Sequence, residues 1–446
     1  MSFDIPAWVR DAVFYQVFPD RLARSGRVEP PGELEPWDAP PTRHGFKGGD
    51  LYGVVAHLDR LKALGITALY LNPVFMSASN HRYHTDDYFH VDPLLGGDPA
   101  LRELLDEAHA RDMRVILDGV FNHCGRGFWP FHHVLENGAR SPYSDWFHLD
   151  DEVRAGARHL AAFPSAEQLA QLEGMHASGT PRGAASRPIL GYTAWWDLPP
   201  LPKLAVEEPH VRAMILDVAE HWLRFGIDGW RLDVAEEIDA GFWREFRQRC
   251  RAARPDAYLV AEIWSLSPEW LQGDTFDALM NYPLTEAILG FAAQGSLDAS
   301  VPLPEEYVGK LRPTTGLELW GHITELSDVY GPSVLSAQLN LLGSHDTPRL
   351  RTLCGGDLDA VRLAMLLQMT LPGAPCIYYG DEIGMEGSMD PDCRCAFPAD
   401  PASWTAEPSA WLADVAALRH SSRALRDGEM SLLRADGPAL AYLRQD

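Results

Sequence analysis

What most constrains this chain is a rhythm: eight short β-rich apolar runs recur along it, separated by amphipathic stretches. The runs are VFYQVF (13–18), ITALYL (66–71), RVILDGVF (114–121), GIDGWRLDV (226–234), AYLVAEIW (257–264), FDALMNY (276–282), QLNLLGS (338–344) and PCIYYG (375–380). After Asp50, residues Leu51, Val54, Val55, Leu58, Leu61 and Leu64 fall on one stripe at the helical period. Asp98 followed by Pro99 reads as the N-cap and first position of a second helix, carrying Leu101, Leu104, Leu105 and Ala108. Val211, Ile215, Val218, Trp222 and Phe225 mark a third. Alternating strands and helices make parallel βαβ units, and eight of them predict an α/β fold, a closed (β/α)8 TIM barrel.

One connection is too long for a plain loop. Residues 124–204 are rich in Gly, Ser, Pro and aromatic side chains, which predicts a small subdomain inserted after strand three. The barrel would then occupy residues 1–123 and 205–423. Residues 424–446, with SLLRA and LAYLRQ, read as the start of a short or truncated C-terminal β-domain.

The formal charge of −25 at pH 7 argues against nucleic acid and anionic lipid as partners, since both are held by clustered Lys and Arg. MSFDIPAWVRDAVFYQVF carries no basic segment followed by an apolar run and a cleavage site, and no run of about 18 apolar residues follows. A cytoplasmic enzyme without membrane contact is expected. The cysteines at 124, 250, 354, 376, 393 and 395 are scattered, and the Cys393-x-Cys395 pair alone is weak as a zinc site, so reduced thiols are expected.

FGIDGWRLDVAEE (225–237) poses the sharpest question. In a strand, alternation puts Ile227, Gly229, Arg231 and Asp233 on one face and Trp230, Leu232 and Val234 on the other. An Arg-x-Asp pair backed by apolar and aromatic residues must look into something. Catalytic groups in such a barrel sit at the C-terminal ends of the strands. Asn122 and His123, Arg231 and Asp233, Glu262, and His345 and Asp346 all occupy such ends. Alternation does not by itself aim both His345 and Asp346 inward. Taken alone, Arg231 and Asp233 read equally well as a structural ion pair, and Glu262 as a solvated strand end.

Three carboxylates around one mouth match the needs of retaining glycoside cleavage. That chemistry wants an ionised carboxylate about 5 to 5.5 Å from a protonated one. Arg231 is expected to hold Asp233 ionised, while burial and neighbouring negative charge raise Glu262.

At these residues the chain resembles the α-amylase superfamily of glycoside hydrolases. The motifs are DGVFNH (118–123), GWRLDVAEE (229–237), EIW (262–264) and SHD (344–346), in the family's order. The resemblance implies Asp233 as nucleophile, Glu262 as acid/base, and Asp346 as a third carboxylate that binds sugar hydroxyls and favours ring distortion. It implies Arg231 orienting Asp233, His123 and His345 bonding the sugar in the cleaved subsite, and Tyr83 in HRYHTDDY as the platform beneath it. Trp264 of EIW joins the substrate-binding set. Within the superfamily the chain is similar to cyclomaltodextrinases, neopullulanases and maltogenic amylases, through LPKL (201–204), FDALMNYP, GGDLYGVVAHLDRLKALGIT, IYYGDEIGM and DPDCR (390–394). By that likeness Asp390 and Arg394 touch sugars further from the cut and Glu237 faces the acceptor side; loop salt bridges explain these three as well. The substrate would be an α-glucan oligosaccharide, joined α-1,4 and also α-1,6.

Three departures bear on partners and cofactors. The N-terminal β-domain usual in that group does not precede the first strand of this sequence, so a monomer, or a dimer built differently, is expected. ARSGRVEPPGELEPW (23–37) offers few oxygen ligands where the group often binds calcium, so no metal is expected. DPDCR continues as CAFPAD instead of a basic stretch.

Rival readings remain. A metal-dependent hydrolase would want a His-x-His pair on an early strand, and VFYQVFPDR has none. A non-catalytic glycan-binding subunit would have lost carboxylates that are all present here. A glucanotransferase keeps the same residues and changes only the acceptor.

Overall fold

The computed structural model describes residues 4–446. Eight strands form one parallel sheet: β1 (Phe14–Val17), β2 (Ala68–Leu71), β3 (Arg114–Gly119), β4 (Gly229–Leu232), β5 (Tyr258–Ala261), β6 (Ala278–Leu279), β7 (Leu339–Leu341) and β8 (Ala374–Tyr378). Their spatial order is β6-β5-β4-β3-β2-β1-β8-β7, the chain order wrapped round on itself. The barrel is nearly closed. Its seam between β6 and β7 is one parallel bridge, Met280 to Leu339, backed by Asn281 Nδ2 donating to Asn340 Oδ1 at 2.9 Å.

The outer layer consists of α1 (Leu51–Ala63), α2 (Gly97–His109), α3 (Pro209–Phe225), α4 (Ala240–Ala253), α5 (Tyr282–Ala292), α6 (Gly316–Leu335), α7 (Leu358–Thr370) and α8 (Ala406–Ser421). Two cores result. Phe14, Tyr70, Ile116, Val260, Met280 and Leu341 fill the barrel, while Trp222, Trp230, Leu232 and Phe246 pack between strands and helices. Trp230 and Leu232 thus face the helices, as alternation requires, and Arg231 faces the barrel interior.

Two expectations need correction. Asp98 is not an N-cap: α2 starts at Gly97, after Gly96 in the left-handed region at φ 98°, and Asp98 turns its carboxylate back to the Val91 amide at 2.8 Å. A glycine turn ends the preceding segment more sharply than the Asp-Pro signal suggests. Nor does every strand lead into its own helix. Between β5 and β6 lies only the single 3-10 turn Pro268–Trp270, whereas α5 and α6 both fall between β6 and β7.

After β3 the chain leaves the barrel through helices Trp129–Asn137 and Ala166–Ala177 and the short Ser186–Leu190. It returns along 201–204: Cys124 N–H donates to Pro202 O and Leu204 N–H to Asn122 O, both at 3.0 Å. The LPKL stretch therefore lies antiparallel to the end of β3, with Lys203 opposite His123. At the other end of the chain, β9 (Glu429–Asp436) and β10 (Ala439–Gln445) form an antiparallel hairpin against α6, where the Gly316 amide donates to Gly437 O at 2.8 Å. Among the described residues no helix is long and apolar enough to cross a membrane.

Candidate active site

The site grows from the ends of β3, β4 and β5. Asp118 on β3 and Arg231 on β4 are register partners, so their side chains leave the sheet together into the barrel mouth. Arg231 is fully buried. Its Nη1 donates to Asp118 Oδ1 and to Asp233 Oδ1, each at 2.8 Å. Its Nη2 lies 2.9 Å from Glu262 Oε2, an ion pair off the hydrogen-bonding direction. One guanidinium therefore holds three carboxylates rather than serving Asp233 alone.

The backbone bends sharply there. Val234, just past Asp233, sits at φ 40° and ψ 47°. A β-branched residue avoids that region, at a cost of order 1–3 kcal/mol. The bend turns the Val234 amide onto Glu262 Oε2 at 3.2 Å. Glu262 Oε1 accepts from Trp264 Nε1 at 3.0 Å, and the Trp264 ring stacks on Tyr282 with centroids 3.6 Å apart. Both Glu262 oxygens are thus held. Asp233 differs: Oδ1 is clamped, while Oδ2 is buried and has no partner among the described residues.

Charge in the cluster is set mainly by desolvation. Burial pushes Asp233 well above the usual carboxylate value; Arg231 pulls it down, and Glu262 and Asp118 push it up again. Asp118, under the same burial against Arg231, rises to about 6. Arg231 lowers Asp233, as expected, and burial opposes it. Carboxylates packed this closely titrate as one unit.

A second network supports the first. Tyr70 and Tyr83 hydroxyls donate to Asp118 Oδ2 at 2.8 and 2.7 Å. The Tyr83 ring lies parallel to His345, at 9° and 5.2 Å. Gln16 Nε2 and Asn72 Nδ2 both sit 3.0 Å from His345 Nδ1. With two amide donors on Nδ1, the proton of a neutral ring must be on Nε2, which is 3.0 Å from Asp346 Oδ2. Burial holds His345 well below the ordinary histidine value, so the neutral ring is the stable form. Both His345 and Asp346 reach the mouth because β7 has ended at Leu341 and the chain has turned.

The remaining candidates divide. Arg394 is committed to the loop, donating to His345 O at 2.8 Å and Asp346 Oδ1 at 3.2 Å, with Asp390 at 3.2 Å, so the Asp390–Arg394 pair braces Asp346. Glu237 is exposed and pairs with Lys203 at 2.5 Å on the rim of a cleft of about 410 Å³ that Asn122 also lines. His123 is buried, pushed down to about 3 by desolvation, with His84 and Lys203 adding to the effect. Among the described residues neither of its ring nitrogens has a partner, nor does the Asn122 side chain.

Sequence reading missed Asp118, Asn72, Gln16, Tyr70 and Trp195. Asp118 had a signal, since it opens DGVFNH on the inward face of β3. Trp195 stacks on His123 with centroids 4.9 Å apart at 13°. Trp196 and Asp197 beside it occupy left-handed backbone at φ 53° and 58°. Each costs of order 1–2 kcal/mol. The loop after β1 also holds a cation of its own: buried Lys47 donates from Nζ to Pro36 O and Ala39 O at 2.7 Å, with Glu35 at 3.4 Å.

A (β/α)8 barrel whose mouth gathers Asp233, Glu262 and Asp346 around one buried arginine has the layout of a glycoside hydrolase. The alpha-amylase catalytic-domain model matches residues 16–417, and the chain belongs to that family. It is an α-glucan hydrolase of the cyclomaltodextrinase/neopullulanase type. It is 44% identical over 448 residues to a cyclomaltodextrinase of Geobacillus thermopakistaniensis, covering 100% of this chain and 68% of that protein. It is 42% identical over 394 residues to neopullulanase 2 of Thermoactinomyces vulgaris, covering 88% of this chain and 60% of that one. Among solved structures, the cyclic α-maltosyl-(1→6)-maltose hydrolase of Arthrobacter globiformis superposes with a TM-score of 0.84 at 38% identity, covering 97% of this chain and 88% of that one.

Proposed function

We propose that this chain is a retaining hydrolase of α-1,4, and also α-1,6, glucosidic bonds in short maltooligosaccharides, cyclodextrins or pullulan. The reading rests on one observation: Asp233 keeps one oxygen clamped and the other free, beside Glu262 on the same guanidinium. In the first step Asp233 Oδ2 bonds to the anomeric carbon as the glycosidic bond breaks, and Glu262 gives its proton to the leaving oxygen. In the second, Glu262 takes a proton from water, whose oxygen bonds to the same carbon and releases Asp233. Arg231 offsets the negative charge of the cluster throughout. His123, His345 and Asp346 bind sugar hydroxyls, and Tyr83 lies beneath the ring.

The names of the relatives support the substrate class: cyclodextrin for one, pullulan for another, and a cyclic glucan with a 1→6 link for the third. A sugar hydroxyl can replace water in the second step. The cleft bordered by Lys203 and Glu237 gives such an acceptor a place, which favours some transglycosylation. No step in this reading is assigned to a metal.

Proton NMR of the first product formed from maltotriose or γ-cyclodextrin tests the mechanism. An α-configured reducing end appearing first is expected. A β-anomer appearing first overturns the retaining assignment.

A further inference from the structure

Three aromatic rings lead away from the mouth in single file. His123 is 1% exposed, the Trp195 indole lies on it nearly parallel, and Trp196 stacks on Trp195 at 5.4 Å and 27° with 39% of its surface in solvent. Burial thus falls steadily from the candidate active site to the surface of the inserted segment.

Nothing in the packing of the core asks for this arrangement. Trp196 is bulky, exposed and in a backbone region that large side chains avoid. The next residue, Asp197, is buried and locks the turn from beneath. Its carboxylate accepts from the amides of Gly183 at 2.7 Å, Ala185 at 3.0 Å and Ser186 at 2.6 Å, with His176 Nε2 at 3.3 Å. A buried anion with three amide donors is used here to hold an exposed indole in a strained pose. Strain of this kind persists where the surroundings over-determine it, and it clusters at ligand clamps. The polar atoms along the file also lack partners: His123 Nδ1 and Nε2 and Trp195 Nε1 are buried and unbonded within the chain. Flat aromatic faces with hydrogen-bonding edges are what the two sides of a pyranose ring require, C–H groups on its face and hydroxyls around its rim.

We propose that the outer face of Trp196, backed by Trp195, forms an outer glucosyl-binding platform, which takes a sugar unit of a longer α-glucan while the scissile unit sits among Asp233, Glu262 and Asp346. Asp197 is its positioning residue. Arg182, whose guanidinium lies 5.8 Å from the Trp196 ring, flanks it. The platform rests on the α-glucan reading above and adds a preference for chain length.

The test compares maltotriose with maltoheptaose. Trp196→Ala should lower kcat/KM for maltoheptaose by about five- to tenfold, change maltotriose less than about twofold, and leave the melting temperature unaltered. Trp196→Phe, which keeps a flat ring, should recover most of the loss. Equal losses on both sugars, or none on either, would overturn the platform. A readout without turnover separates it from the catalytic reading: maltoheptaose titrated into Asp233→Asn should bind several-fold more tightly than into Asp233→Asn/Trp196→Ala. Binding that depends on Trp196 in a wild-type protein that leaves the sugar uncut would keep the platform and sink the hydrolase. Equal binding by the two variants would sink the platform alone.

Discussion

Two buried aspartates bracket β4, and they live under opposite conditions. Asp228, just before the strand, is paired with His109, Arg114 and the Val115 amide at 2.8 Å each and with Arg254 at 2.5 Å. Burial pushes its carboxyl up, but the hydrogen bonds from His109 and Arg114 and the charge of Arg254 outweigh that and hold it below the ordinary value. Asp233, just after the strand, has Arg231 on one oxygen and nothing on the other, and it is driven up. The difference shows that burial alone does not mark a working carboxylate. A satisfied buried acid is an anchor, whereas an unsatisfied one carries a cost that only a ligand or a reaction explains.

The comparison breaks most decisively at Asp233. Asp233→Asn keeps the shape and removes the nucleophile, so hydrolysis of γ-cyclodextrin should fall by several orders of magnitude while urea denaturation stays within about 1 kcal/mol of wild type. Near-normal turnover would show that the unpartnered oxygen is not the attacking one.

Acid probes the two ends of the barrel in different windows. At the mouth, burial holds His123 at about 3 and His345 well below the usual 6.5. The unfolded chain then binds protons first. The stability these rings contribute is fully present above about pH 6.5 and is lost as pH falls toward the folded values, by about 2 kcal/mol for His123 at pH 5. Asp228 has a depressed folded value, so its contribution persists above the unfolded carboxylate range and disappears only as pH drops below it. The raised carboxyls of Asp118 and Asp233 shift stability the other way over this range, so the ring is read by difference: relative to wild type, His345→Asn should gain stability in urea as pH falls below about 6.5. A difference between His345→Asn and wild type that stays constant from pH 7 to 4 would contradict the neutral buried ring.

Asp228→Asn should do the reverse of Asp233→Asn. It leaves three basic groups facing a neutral amide, and because Arg114 and Arg254 keep some solvent the cost should be about 2–4 kcal/mol rather than that of a fully buried pair. The specific activity of the folded fraction should be unchanged. Loss of activity without loss of stability would erase the distinction between the two ends.

Only the Asp233 side of this contrast was legible beforehand. Arg231, Asp233, Glu262, His123 and His345 stood out as polar side chains gathered at the ends of apolar strands, and the resemblance of their motifs to a known family gave them roles. Asn72 and Gln16 did not, since each is one polar residue in or just after an apolar strand and acquires meaning only from neighbours that are distant in the chain. The stretch from 124 to 204 has no periodicity to read, so the stack of Trp195 on His123 emerges only in three dimensions. Asp98 shows the limit of local signals, because contact with Val91 redirected a side chain that the Asp-Pro pair had marked as a cap. The sharing of Arg231 among three acids was likewise invisible, because spacing reveals which residues meet and not how one guanidinium divides its donors.

The gentlest probe separates position from partnership at Glu262. Trp264 does two things: its Nε1 donates to Glu262 Oε1, and its ring lies flat on Tyr282. Trp264→Phe removes the first and keeps the second. Glu262 would retain the Val234 amide and the Arg231 contact, so it should remain in place but less rigidly aimed. A lost hydrogen bond of this kind at a half-exposed site is worth about 1–1.5 kcal/mol, which predicts a kcat lower by about tenfold with KM and melting temperature nearly unchanged. Trp264→Ala should add a loss of stability through the vacated stack. If Phe and Ala lowered kcat equally and neither altered stability, the stack would carry no weight. If Phe left kcat untouched, the Val234 amide and the Arg231 contact would together suffice to aim the acid.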